Sequence, residues 1–288
     1  MGPTSGLAIT DWDDAYANTA HIEGGSAFPA RWAAAAAAFR ATMTAGGRAM
    51  LDQPYGPLPR ETFDLFQPEG QPAGLFIFVH GGYWMAFDKS SWSHLAAGML
   101  AHGWSVAMPS YSLCPDTRIA GITRQIARAV ATAAALVPGP LRLAGHSAGG
   151  HLVSRLCCAD DLLPEAVHGR ILHTVSISGL HDLRPLLKTA MNRTLRLDEA
   201  EAACESPALS VPRPGVSVTC WAGARERPEF IRQNALLANI WTGLGARMAE
   251  HQAPDRHHFD VIADLADPRS ALVADLAGDP GHSAPERR

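Results

Sequence analysis

Lysine is nearly missing from this 288-residue chain: of 24 Lys and Arg residues, only Lys89 and Lys188 are lysine. Against 28 Asp and Glu the net charge is -4, so the chain lacks the basic footprint of a nucleic-acid binder. Charged residues make up only 18% of the chain while 47% are hydrophobic, which excludes a disordered chain and a coiled coil. No apolar run reaches the roughly 18 residues of a membrane span; Pro138 and Pro140 break the richest stretch and His102 another. Met1 to Gly6 has no positive n-region and no apolar h-region, and Gly6 stands where a myristoylation signal needs Ser or Thr. The five cysteines contain no CxxC, so reduced thiols and a cytoplasmic location are expected. Repeats and long linkers are also missing. One domain is therefore expected over 1–288, with a helical and irregular extension over 1–50 and a frayed tail over 278–288. Histidine is plentiful, at 13 residues, and only position can say which of them matter.

Leu75–Val79 (LFIFV) is a continuous apolar run, the pattern of a strand buried on both faces of a parallel sheet. Helical periodicity follows over Ser90–His102, then a strand at Trp104–Met108 and a long helix over Ile119–Val137. A short strand is predicted at Leu141–Ala144 and a helix at Ala148–Cys158. Further strands are predicted at Ile171–Ile177, Val216–Trp221 and Ala246–Glu250, with helices over Pro228–Trp241 and Pro268–Ala277. Before this rhythm begins, Arg31–Ala45 reads as an alanine-rich helix and Glu61–Gln67 as an edge strand. Alternating strands and helices imply right-handed crossovers. The expected fold class is α/β, with a mainly parallel central sheet and helices on both faces.

Gly145-His146-Ser147-Ala148-Gly149 matches G-x-S-x-G between a predicted strand and a predicted helix, where the glycines permit a tight turn that exposes the serine oxygen. His80-Gly81-Gly82-Tyr83-Trp84 follows the buried strand Leu75–Val79. Amides of Gly81, Gly82 and Ala148 would hold a developing oxyanion without a Cβ in the way, and His80 reads as a brace for that loop. Tyr83 and Trp84 stand beside this hole as substrate-contacting aromatics, and His151 flanks the serine as a third pocket residue. A serine nucleophile needs a base and an orienting carboxylate, in the chain order Ser, acid, His. Glu226 lies just past the strand Val216–Trp221, whereas Glu229 fits the first turn of the next helix. The base falls on His257 or His258, and position alone leaves that choice open. A metal hydrolase would need ligand clusters such as H-E-x-x-H; here His146/His151 and His168/His173 are five apart, a poor spacing for one helix face. A fold relative without catalysis would lack a triad member, and all three residue types are in place.

Together HGGYW, GHSAGGHL, Ser178–Pro185, RPEFIRQN and HHFDVI resemble the α/β-hydrolase family that contains the kynurenine formamidases, over about Tyr16 to Asp267. The resemblance implies Ser147 as nucleophile, His258 of the His-Phe-Asp motif as base, and Glu226 as acid, where the family more often carries Asp. It implies hydrolysis of N-formyl-L-kynurenine to L-kynurenine and formate with no cofactor and no metal. The alternative is a carboxylesterase acting on short-chain or aryl esters. The expected partner is a small-molecule formamide or ester with an aromatic part, with no nucleic acid and no membrane; a homodimer is compatible with the sequence. Arg184 is a candidate clasp for a substrate carboxylate.

Overall fold

The computed structural model describes residues 9–278. Among them one sheet is built from β1 (Ala49–Pro54), β2 (Thr62–Phe66), β3 (Leu75–Val79), β4 (Ser105–Pro109), β5 (Leu141–His146), β6 (Ile171–Ile177), β7 (Ser217–Gly223) and β8 (Arg247–Ala253), in the order β1-β2-β4-β3-β5-β6-β7-β8. The β1–β2 and β2–β4 joints are antiparallel; every other joint is parallel. The chain leaves β3 for β4 on one side and returns to β5 on the other. That reversal opens a crevice at the carboxyl ends of β3 and β5, where α/β sheets bind ligands.

Period-two alternation sends the strand side chains into two cores. Leu75, Ile77 and Val79 of β3 face the helices Ile119–Leu136 and Ala148–Arg155. Phe76 and Phe78 face the other way, among Trp32, Met43, Leu95, Met99 and Leu272 from the helical segments on the opposite side. Every residue of β3, β4 and β5 is buried, as the unbroken apolar run predicts for β3.

Several boundaries differ from expectation for definable reasons. The Glu61–Gln67 segment is not an edge: β2 is paired on both sides, and the edge is β1, which the sequence reading missed. Half-exposed β1, with Asp52, Gln53 and a closing Pro54, carries a register shift between Met50 and Gln53 that hides its alternation. The Ser90–His102 helix is broken into 3-10 turns at Lys89–Ser91 and Ser93–Ala96 and a short helix at Ala97–Ala101. Arg40 ties the carbonyl of Ser90 and, at 2.9 Å, the hydroxyl of Ser93, so the long helix Phe28–Ala45 dictates the local path. The helix after Ser147 stops at Arg155 rather than Cys158, and β8 runs on to Ala253. The last helix starts at Ala271, where Ser270 Oγ caps the Val273 amide at 3.1 Å. Beyond Gly278 the expected frayed tail lies outside the described residues. No helix among them is long and apolar enough to cross a membrane.

Burial pushes the thiols of Cys114 and Cys157 up to about 12 and Cys158 up to about 11, and raises Cys220 as well. Cys204 is exposed. Because the thiolate is the reactive form, at about pH 8 only Cys204 should react quickly with an aromatic disulfide reagent in the native protein, and all five thiols after unfolding. A second fast thiol in the native state would contradict this burial.

Candidate active site

Ser147 sits between β5 and the helix Ala148–Arg155 with φ 56° and ψ -116°, a strained conformation for a residue with a side chain. The residues two before and two after it must be glycine. A Cβ on Gly145 would fall 2.1 Å from the Gly149 carbonyl oxygen, and one on Gly149 would fall 2.0 Å from that of Val79. The helix thus starts flush against the end of β3. The Ser147 amide donates to Ile177 O at 2.8 Å, bracing the elbow on β6.

The His80–Trp84 loop lies directly on this elbow: a Cβ on Gly81 would be 3.1 Å from Ser147 Cβ and 2.8 Å from His146 O. Gly82, Tyr83 and Trp84 have φ of 112°, 52° and 57°, so two residues with side chains occupy the left-handed region in succession. The Gly82 carbonyl accepts from Met85 and Ala86 amides at 2.9 and 3.0 Å, which offsets part of that strain. Among the described residues the amides of Gly81, Gly82 and Ala148 donate to no protein group, so they remain available for an anion. His80 Nδ1 donates to Gly81 O at 2.7 Å, and the ring stacks on Tyr111 with centroids 4.3 Å apart. Burial pushes His80 down to about 4, so it is a neutral brace.

His258, on the loop after β8, donates from Nδ1 to Glu226 Oε2 at 2.6 Å. The other oxygen of Glu226 accepts the Ser178 hydroxyl at 2.5 Å and the Gly223 amide at 2.7 Å, and the side chain is fully enclosed. The structure brings Glu226 and His258 together and holds the other two candidates elsewhere. His257 turns to Asp260 and the Phe28 ring, while Glu229 is committed to the Tyr16 hydroxyl, Arg232 and Gln233. Ser147 Oγ makes no hydrogen bond to His258 in the structure; in free enzymes this contact often closes only around substrate. Ser178, buried with φ 52°, is a site residue that sequence reading missed. It opens the Ser178–Pro185 stretch of the resemblance, but that stretch assigns it no role. Only the β6–β7 pairing carries its loop to Glu226.

The three expected pocket residues fare differently. Trp84 and His151 are both 0% exposed and pack edge to face at 5.2 Å, so they form the packing behind the loop rather than a surface that a substrate touches. His151 Nε2 is spent on Glu205 O at 2.7 Å, and burial pushes its pKa down to about 3. Tyr83 is half-buried; its hydroxyl donates to Tyr16 O and accepts from Asn18 Nδ2 at 2.9 Å. Arg184 does not offer a free guanidinium, because Asp182 takes it in a two-point pair at 2.9 and 2.8 Å. Among the described residues no three His, Cys, Asp or Glu side chains are grouped as a metal site.

Residues 76–210 match the family model described as the alpha/beta hydrolase fold. A solved structure from Silicibacter sp. TM1040, provisionally named a thioesterase, superposes with a TM-score of 0.88 at 54% identity, covering 93% of this chain and 99% of that one. The chain has the alpha/beta hydrolase fold. The hydrolase is also 28% identical to the kynurenine formamidase of Danio rerio over 78% of its own length and 79% of the relative's. To the kynurenine formamidase of Salmo salar it is 28% identical, over 76% and 77%.

The Ser178 hydroxyl makes a charge-assisted hydrogen bond worth about 1.5–3 kcal/mol. Ser178→Ala in this hydrolase should therefore lower kcat/KM on an aryl ester by about one to two orders of magnitude. In a Glu226→Gln background, with no carboxylate to hold, the same change should cost little. Equal losses in both backgrounds would mean that Ser178 supports only the fold.

Proposed function

We propose that this hydrolase is a serine hydrolase of the arylformamidase kind, cleaving a small N-formyl aryl amide, with N-formyl-L-kynurenine as the leading substrate. The observation that carries the reading is the buried 2.6 Å contact of His258 Nδ1 with Glu226, a fixed acid–base pair on the same crevice as the strained Ser147. The names of its curated relatives support the formamidase substrate.

In this mechanism His258 Nε2 removes the Ser147 proton as Oγ attacks the formyl carbonyl. The Gly81, Gly82 and Ala148 amides hold the oxyanion, each such donor being worth about 10² to 10³ in rate. Glu226 keeps Nδ1 protonated and stabilises the imidazolium. That imidazolium protonates the leaving arylamine, a step that amides need more than esters. Water activated by His258 then attacks the formyl-enzyme and releases formate.

A carboxylesterase is the second reading, and one observation favours it: Asp182 occupies Arg184, which removes the candidate clasp for an amino-acid carboxylate. Measuring kcat/KM for N-formyl-L-kynurenine beside short-chain aryl esters separates the two. A formamide value at or above the ester values is expected, and an ester preference of about three orders of magnitude would favour the esterase. Ser147→Ala should lower turnover of either substrate by about 10⁴-fold or more, and near-normal turnover would end the serine mechanism.

A further inference from the structure

His146 precedes Ser147, and its ring is all but enclosed at 4% exposure. Nε2 lies 2.9 Å from the backbone carbonyl oxygen of His258. A carbonyl only accepts, so Nε2 carries the proton and His146 is the donor. Burial, reinforced by the His258 ring, pushes its pKa well below the ordinary 6.5, which keeps it neutral and fixes the direction of that bond. The two rings sit 4.6 Å apart. Among the described residues no other group donates to the His258 carbonyl.

The topology gives this contact its weight. Ser147 follows β5 and His258 follows β8, with β6 and β7 between them in the sheet. Glu226 steers the His258 ring from the loop after β7 and makes no hydrogen bond to the elbow. The His146 side chain ties the backbone beside the nucleophile to the backbone of the base.

We propose that His146 is a positioning residue whose hydrogen bond to the His258 carbonyl sets the gap between Ser147 Oγ and the His258 imidazole. This rests on the reading of Ser147 and His258 as nucleophile and base. A misplacement of about 1 Å between reacting groups can cost about 10²-fold in rate, which is the scale expected here.

The test compares His146→Leu, which removes the donor, with His146→Gln, which keeps an N–H donor on a side chain of similar reach. Kinetics on an aryl acetate, the rate of Ser147 labelling by a fluorophosphonate and urea unfolding are measured on the full chain. His146→Leu should lower kcat and the labelling rate together by about 10²-fold with KM changed by less than about threefold. His146→Gln should recover most of both. In a His258→Ala background, with no imidazole left to misplace, His146→Leu should leave the residual rate unchanged. Wild-type labelling by folded His146→Leu, or the same fold-loss in the His258→Ala background, overturns the proposal. If His146→Leu does not fold, His146→Phe, ring-sized and donor-free, carries the same comparison. Full activity of Ser147→Ala or His258→Ala would instead overturn the reading of function on which the proposal rests.

Discussion

The close approach of Gly149 to the end of β3 is the constraint on which the site depends. With the Val79 and His80 carbonyl oxygens 2.0 and 2.7 Å from where its Cβ would be, the helix after Ser147 starts against the strand that launches the His80–Trp84 loop. That contact brings Gly81 close to the serine. It also leaves the Ser147 backbone no relaxed alternative. The strain at Ser147, Tyr83 and Trp84 persists because the surrounding sheet is buried on both faces and over-determines the path.

Around this point the polar groups form a closed system rather than a set of exposed charges. Glu226 has both oxygens engaged, His258 is bonded through its ring and its carbonyl, and His80 and His146 are neutral braces. A buried carboxylate with several donors is stable where an unpaired one is costly. Ser178 and Gly223 give the Glu226 carboxylate a second anchor beside His258.

What could be read from the sequence was whatever a short window encodes. The apolar run of β3 and the glycine turn around Ser147 are local signals, and both elements fall where expected, β3 to the residue. Glu226 over Glu229 followed from position after a strand, and the residue-level tie between His257 and His258 was broken only by family resemblance. Illegible features were those made by distant packing. The residue types of β1 do not alternate between apolar and polar, Ser178 needs the β6–β7 pairing, and the fate of Trp84 and His151 depends on a core that no window contains. Arg184 looked available because its partner, Asp182, was not read with it.

The segment from Trp12 to Phe28 touches the loop of each acting group. Tyr16 O receives the Tyr83 hydroxyl, Asp14 pairs with Arg227 beside Glu226, and Phe28 packs on His257 and Phe259 either side of His258. The most distant of these partners, Phe28 and Phe259, are 231 residues apart along the chain. The first segment therefore completes its contacts only when the chain from Tyr83 through Phe259 is in place. A chain cut short before Phe259 would leave Phe28 without either of these ring partners unless it kept His257.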